Sequence, residues 1–385
     1  MGENKKKIVT IVGARPQIIK ASVISRAIAQ YFSDFMKEVI VHTGQHYAEN
    51  MSDIFFKELN IPEPAYNIKV GSGTHGSQTA QMIKGIEEIL LKEKPDAVIL
   101  YGDTNTTISG AIAGSKIGIP IIHIEAGLRS YNKKMPEEIN RITCDHMSSL
   151  LFVPTSAGIE NLSKEGFNIK NKGTASIDSP NIYHCGDIMY DNSQFIESHP
   201  QIESTILNDY NLKEGGYILF TIHRANNTDK SENLLNILSA LVDAQYKTGL
   251  KIILPLHPRT RNKIDELKNE TIVNNILNNP NIHVIDAIGV FDITELERKA
   301  RIIATDSGGI QKEAYFFKKP CIVLREETEW IEMLETGSTI LTGADRDKIL
   351  LSIDQLLNND SLSFPPIFGD GNAGKFICSK ILSDL

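Results

Sequence analysis

Residues 101–141 read YGDTNTTISGAIAGSKIGIPIIHIEAGLRSYNKKMPEEINR. The apolar run Ala97–Leu100 leads into this stretch and ends at Gly102 and Asp103. Three Thr and an Asn follow, then the small-residue pattern of a helix. A second apolar run, Ile119–Ile124, ends at Glu125-Ala126-Gly127, and a basic stretch then reaches Pro136-Glu137-Glu138. Continuous apolar runs separated by helix-length segments are the pattern of a parallel sheet buried on both faces. Such sheets receive ligands outside the carboxyl ends of their strands. Asp103 and Glu125 are therefore expected at one crevice, with Glu137 at a helix start nearby.

The same pattern extends outward in both directions. Lys7–Val12 reads as a buried strand, followed by the turn Gly13-Ala14-Arg15-Pro16 and a helix in which Pro16 fits the first turn. Glu38–Val41 is a strand ending at His42-Thr43-Gly44-Gln45-His46. Met51–Leu59 and Thr79–Lys92 read as helices, and Gly71–Gln78 as a loop. Leu150–Val153 and Asn181–His184 are further strands. The pattern restarts after Asp187, with strands at Gly216–Thr221, Lys251–Leu254, His283–Ile285, Arg301–Ala304 and Pro320–Val323. Two α/β halves are expected, with the boundary near residues 187–215. Phe376, Ile377, Ile381 and Leu382 give the tail an apolar face that should dock.

The chain has 385 residues, enough for two domains with sizeable cores. A net charge of −8 argues against non-specific nucleic-acid binding. The four cysteines, Cys144, Cys185, Cys321 and Cys378, are scattered without a CxxC, so neither a zinc site nor a disulfide framework is expected. The run Ile8–Val12 is too short for a signal-peptide core, and no apolar stretch approaches the roughly 20 residues of a membrane helix. A cytoplasmic protein is expected.

Four groups of residues carry candidate chemistry. Arg15 follows a glycine turn at a helix start, a place suited to phosphate, though an ordinary βα turn has the same pattern. Thr305-Asp306-Ser307-Gly308-Gly309 ends a strand and opens a helix whose free N–H groups form an anion cradle. Glu313, further along that helix, is placed for a ribose diol. A helix merely capped by Asp306 or Ser307 reads the same way. His223 with Arg224 lies just past a strand end, and His257 with Arg259 sits similarly. Asp103, Glu125 and Glu137 form a carboxylate set. Glu137 and Arg141 are spaced to pair on a helix face, and Glu138 is a neighbouring candidate. Metal binding is the rival use of such acids, with His46 and His123 near in sequence, but no HxH or HExxH spacing supports it.

The segments GARPQIIK, GQH, GDTNTT, HIEAGLRS, MPEEINR, TIHR, TDSGGIQKE and FGDGNA occur in this order across nearly the whole chain. Together they resemble the non-hydrolysing UDP-N-acetylglucosamine 2-epimerase family. The resemblance implies two Rossmann-like domains with a cleft between them, the glycosyltransferase-B-like arrangement. Residues 1–187 with 368–385 would form the acid-bearing domain, the C-terminal helix crossing back to it, and 188–367 the UDP-binding domain. It implies a UDP-sugar substrate, a homodimer, and no cofactor or metal. By position, Asp103, Glu125, Glu137 and His223 match the family's active-site acids and histidine. Arg15, Lys20, Gln45, His46, Ser307, Gly308, Gly309 and Glu313 match substrate-binding positions.

Some features depart from the common pattern. Gln17 stands where many members have Glu, and the loop between Glu125 and Glu137 is shorter. Gly71–Gln78 lacks the form that binds a second UDP-sugar in some members, and Glu327-Thr328-Glu329-Trp330 replaces a Thr-Glu-Arg-Pro pattern. These features resemble a branch acting on other UDP-HexNAc derivatives, including UDP-2,3-diacetamido-2,3-dideoxy-glucuronate. A hydrolysing relative that releases UDP and N-acetylmannosamine, a glycosyltransferase and a non-catalytic sensor are the rival readings.

Chemistry sets the expected mechanism. C2 of a 2-acetamido sugar has no adjacent carbonyl to acidify its hydrogen, and GxGxxG is absent after the first strand. Departure of UDP from C1 would acidify C2–H, a carboxylate would remove that proton to give a glycal, and reprotonation on the other face with return of UDP would invert C2.

Overall fold

The structure, a computed structural model, describes residues 5–45, 61–171, 173–198 and 204–385. The expected helix Met51–Leu59 lies outside the described residues. The chain divides into two compact units, Met1–Gln194 with Pro366–Leu385, and Phe195–Pro365.

The first unit is built on a parallel sheet of β1 (Lys6–Val12), β2 (Met36–His42), β3 (Tyr66–Asn67), β4 (Ala97–Tyr101), β5 (Ile121–Ile124), β6 (Leu150–Val153) and β7 (Asn181–His184). Their spatial order is β3-β2-β1-β4-β5-β6-β7. Alternate residues point to opposite faces of a strand. Val9, Ile11, Val39, Val41, Val98 and Leu100 thus share one layer, against Met82, Ile86 and Leu90 of helix His75–Glu93 and Ala111 of helix Asn105–Lys116. The connection leaves β1 toward β2 and later resumes beside β1 at β4. This reversal is the switch point of a doubly wound sheet, and it opens a crevice at the ends of β1 and β4.

Gln17 ties this switch point together. It is 1% exposed, and its Oε1 accepts from the N–H groups of Gly13 (3.0 Å) and Ala14 (3.2 Å). Its Nε2 donates to the Tyr101 carbonyl (2.9 Å) and to Thr107 Oγ1 (3.1 Å). All of these groups are buried, so each needs a partner, and one amide satisfies both loops. Gly13 has no room for a side chain: a Cβ there would overlap the hydroxyls of Thr43 and Thr106, which bond each other at 2.8 Å.

The second unit repeats the plan with β8 (Tyr217–Thr221), β9 (Lys251–Leu256), β10 (Ile282–Asp286), β11 (Ile302–Thr305), β12 (Cys321–Val323) and β13 (Thr339–Leu341). Its order is β10-β9-β8-β11-β12-β13, all parallel, with the switch between β8 and β11.

Helix Ala373–Asp384 returns to the first unit and packs on helix Arg15–Ala27, with Ile377, Cys378 and Ile381 buried. Gly374 rests against Val23. The Asp191 carboxylate caps the helix start, accepting from the N–H groups of Ala373 (3.2 Å) and Gly374 (2.8 Å). At the far end Asp384 accepts from Asn181 Nδ2 (2.8 Å) and the Tyr183 hydroxyl (2.7 Å).

The loop reading of Gly71–Gln78 needs correction. Its second half is the first turn of helix His75–Glu93, with Thr74 as cap accepting from Ser77 N–H at 3.4 Å. Glycines at 71, 73 and 76 hid the start, because propensity is weaker than the packing of Met82, Ile86 and Leu90. Strands β3 and β13 were not expected; at two and three residues they are too short to show a period. Among the described residues no helix is long and apolar enough to cross a membrane.

Candidate active site

In the first unit, the ends of β4 and β5 bring two of the expected acids together with basic partners. Gly102 takes a left-handed conformation, φ +58°, where glycine is favoured. A Cβ at Gly102 would lie 3.2 Å from both Lys20 Nζ and Glu125 Oε2, so the turn that precedes Asp103 is built against that pair. Lys20 and Glu125 form an ion pair with their side chains 12% and 10% exposed. Glu125 itself has φ +74°, a conformation a residue with a side chain holds only when its surroundings enforce it. Asp103, at the end of β4, is paired with Arg141 Nη2, and its carbonyl accepts from Asn140 Nδ2 at 2.9 Å.

The helix start at Pro136 separates the two glutamates that spacing left open. Glu138 is 1% exposed, and its carboxylate accepts from the N–H groups of Ser130 (2.9 Å) and Tyr131 (2.8 Å) and from Ser130 Oγ (3.0 Å). It is committed to holding the 130–131 loop. Glu137 is half-buried, and among the described residues its carboxylate has no hydrogen bond or ion pair. The alternative in which Glu137 merely pairs with Arg141 on the helix face is not what the structure has: Arg141 turns to Asp103 and, through Nη1 at 3.4 Å, to Glu138. Arg141 links Asp103 to the helix that carries Glu137.

Arg15 opens helix Arg15–Ala27 beside Gly13, half-buried. Gln45 lies at the start of helix Asn105–Lys116, where its Oε1 accepts from Thr106 N–H (3.2 Å) and Thr106 Oγ1 (2.9 Å). His46 lies outside the described residues.

In the second unit the ends of β8, β11 and β12 converge. Asp306 ends β11 with its side chain 0% exposed, and it accepts from the N–H groups of His223 (3.0 Å) and Arg224 (3.0 Å) and from Asn227 Nδ2 (3.0 Å). Asp306 Oδ1 also lies 3.2 Å from His223 Nδ1, while the His223 side chain remains 40% exposed. Burial lowers the His223 pKa below its ordinary value, and Arg224, His257 and Arg325 add to this against the opposing charge of Asp306. Ser307 caps helix Gly308–Phe316 through Ile310 N–H at 3.4 Å. A Cβ on Gly308 would lie 3.9 Å from Trp330 Nε1 and 4.0 Å from Arg224 Nη2 and Arg325 Nη1. The helix start is thus ringed by donors, which suits an anion. Glu313 follows on the same helix, its Oε2 near Gly309. Lys312, 2% exposed, sits 4.3 Å from the centre of the Trp330 ring. His257 caps its own helix, accepting from Arg259 N–H at 3.3 Å.

Asn140, Arg325 and Trp330 belong to these sites and were not singled out as ligand-facing from sequence, since each depends on a loop path that periodicity does not encode. Asp306 was weighed only as a cap. Among the described residues no group of three or more His, Cys, Asp or Glu is placed to hold a metal ion.

Fold and site together define a class: two-unit parallel α/β proteins with strand-end acids in one unit and a donor-ringed helix start in the other. The family model described as UDP-N-acetylglucosamine 2-epimerase matches residues 32–382. The chain belongs to the UDP-N-acetylglucosamine 2-epimerase family. It is 48% identical over 370 residues to a UDP-N-acetylglucosamine 2-epimerase homolog of Methanococcus maripaludis, covering 95% of this chain and 97% of that one. It is 43% identical over 375 residues to the UDP-2,3-diacetamido-2,3-dideoxy-D-glucuronate 2-epimerase of Pseudomonas aeruginosa, covering 97% and 99%. A crystal structure of the UDP-GlcNAc 2-epimerase of Methanocaldococcus jannaschii, in complex with UDP-GlcNAc and UDP, matches with a TM-score of 0.85 and 39% identity, covering 98% and 99%.

Proposed function

We propose that this chain is a non-hydrolysing UDP-sugar 2-epimerase, an isomerase that interconverts a UDP-2-acetamido sugar and its C2 epimer, UDP-GlcNAc and UDP-ManNAc or a close derivative. The observation that carries this reading is the gathering of Asp103, Glu125, Lys20 and Arg141 at the ends of β4 and β5, in a chain of this family. Carboxylates placed together at strand ends are the acid–base groups that proton transfer at carbon requires.

The C1–O bond breaks and its electron pair leaves with UDP. Positive charge at the helix start Ser307–Gly309, with Arg224 and Arg325, receives the diphosphate, His223 stands beside it, and Arg15 is a further substrate contact. A carboxylate takes the C2 proton, and the C–H electron pair closes the C1–C2 double bond of a glycal. A proton returns to the opposite face of C2, and UDP re-adds at C1. Asp103, Glu125 and Glu137 are the acid–base groups. Lys20, Gln45, His46 and Glu313 complete the substrate contacts. No metal or organic cofactor enters these steps. The four cysteines of the chain are free, which agrees with a cytoplasmic enzyme, and a homodimer that makes surface-polysaccharide precursors is the assembly and role expected.

A second reading differs only in the sugar. The likeness to the Pseudomonas enzyme, with the Thr328-Glu329-Trp330 stretch that resembles that branch, favours a UDP-2,3-diacetamido-uronate. Proton NMR in deuterated water with both substrates tests the two together. Deuterium should enter C2 as the epimer appears, with the faster substrate naming the branch. Product retaining full hydrogen at C2 would remove the mechanism, and accumulation of free UDP would mark a hydrolysing enzyme instead.

A further inference from the structure

Both turns that carry acids in the first unit are left-handed. Gly102, just before Asp103, has φ +58°, and Glu125 and Gly127 have φ +74° and +78°. One buried pair meets both turns. His123 Nε2 lies 2.8 Å from the Gly102 carbonyl oxygen, and its Nδ1 lies 2.7 Å from Asp145 Oδ1. Asp145 Oδ2 accepts from Gly127 N–H at 3.1 Å and pairs with Arg129 Nη1 at 2.8 Å. The side chains of His123 and Asp145 are both 0% exposed.

The partners set the proton count. A carbonyl oxygen only accepts, so Nε2 carries a proton. Asp145 accepts from an amide and faces a guanidinium, so it is ionised and Nδ1 donates to it as well. Burial works against both charges. For Asp145, His123 and Arg129 overcome it and lower the pKa. For His123, the neighbouring Cys144 and Asp145 overcome it and hold the imidazole well above its ordinary value. Arg129 in turn pairs with both oxygens of Glu165 at 2.7 Å. The cations His123 and Arg129 are thus matched by the anions Asp145 and Glu165, which is the condition for burying charge.

We infer that His123 is a positioning residue: with protons on both ring nitrogens it joins the Gly102 carbonyl to Asp145, and through Asp145 to Gly127, and so sets the backbone from which Asp103 and Glu125 project. This rests on the reading of those two acids as the acid–base groups. His123 is shut off from solvent, so its influence on the acids runs through the backbone it holds. A glutamine in its place donates to Gly102 but leaves Asp145 without its partner, so a neutral side chain serves one turn and not both.

Two measurements on the intact chain test this. In nitrogen NMR of the ring-labelled wild-type protein, assigned by comparison with His123→Gln, both His123 nitrogens should sit at the protonated position from about pH 7.5 to about pH 9, where an ordinary histidine is mostly neutral. An unprotonated nitrogen at neutral pH overturns the inference. In kinetics, His123→Gln and Asp145→Asn should each lower kcat about a hundredfold, the scale set by small misplacements of reacting groups, with KM and UDP affinity changed less than about twofold. An unchanged kcat, or UDP affinity lost in step with kcat, overturns it. If His123→Gln does not fold, Asp145→Asn and a proton-count titration of the wild type decide. If the wild type turns over no UDP-2-acetamido sugar, the functional reading fails, while the nitrogen shifts still decide the proton count.

Discussion

The carboxylate of Asp306 is completely buried and lies 3.2 Å from Nδ1 of His223, whose side chain is partly exposed. The pair joins the ends of the two central strands of the second unit, β8 and β11. A buried anion behind a half-exposed imidazole fixes which nitrogen faces outward. It also opposes the lowering of the His223 pKa by burial, Arg224, His257 and Arg325. In Asp306→Asn that opposition is gone, so the NMR titration midpoint of His223 should move to lower pH, as should any limb of the pH–rate profile that reports it. A midpoint that stays in place or rises would show that Asp306 is not the controlling charge.

Glu125→Gln should abolish turnover, by about a hundredfold or more, while calorimetry still detects UDP binding. The neutral amide cannot accept the C2 proton, and its shape spares the left-handed turn. Near-normal activity would remove the main acid–base candidate, and Asp103→Asn should behave alike.

The neighbouring glutamates 137 and 138 should separate cleanly. Glu138→Ala strips acceptors from two amides and a hydroxyl in a buried loop, at a cost of about 3 kcal/mol by denaturant titration. Glu137→Gln should leave stability within about 0.5 kcal/mol, as surface changes do, while turnover falls. The reverse outcome would exchange their roles.

Asp191 links stability to pH. Burial raises its pKa to about 6, against the N–H groups of Gly374 and Ala373 that favour its charge. The folded state therefore binds this proton more tightly than the unfolded state. Stability from this group is full below the unfolded value near 3.8 and is lost as pH rises toward 6, a change of about 2–3 kcal/mol. Urea titrations across that range should show the decline in the wild type and a flatter profile in Asp191→Asn. Equal slopes would contradict it.

Much of the fold was legible because buried parallel strands must be apolar along their whole length. Leu150–Val153 and Asn181–His184 match the observed strands end to end. Strand ends then pointed to Asp103, Glu125, His223 and Ser307, since a doubly wound sheet leaves its carboxyl ends open. His123 was weighed only as a metal ligand, although a polar residue between Ile122 and Ile124 in a fully buried strand was itself a sign that a partner waited. That partner, Asp145, is on another element, and spacing has no means of naming it.

Sequence alone determined the two α/β units, the strand-end acids, the glycine-opened helix start and the family, because these rest on local period and on ordered motifs. Tertiary structure decided which glutamate at 137–138 is committed to a loop, that Arg141 serves Asp103, that Gln17 joins two loops, and that His123 and Asp306 stand behind the residues that meet solvent. The reason is physical. A buried polar atom must be satisfied by whichever group the fold brings within about 3 Å, and that choice is made by elements far apart in the chain.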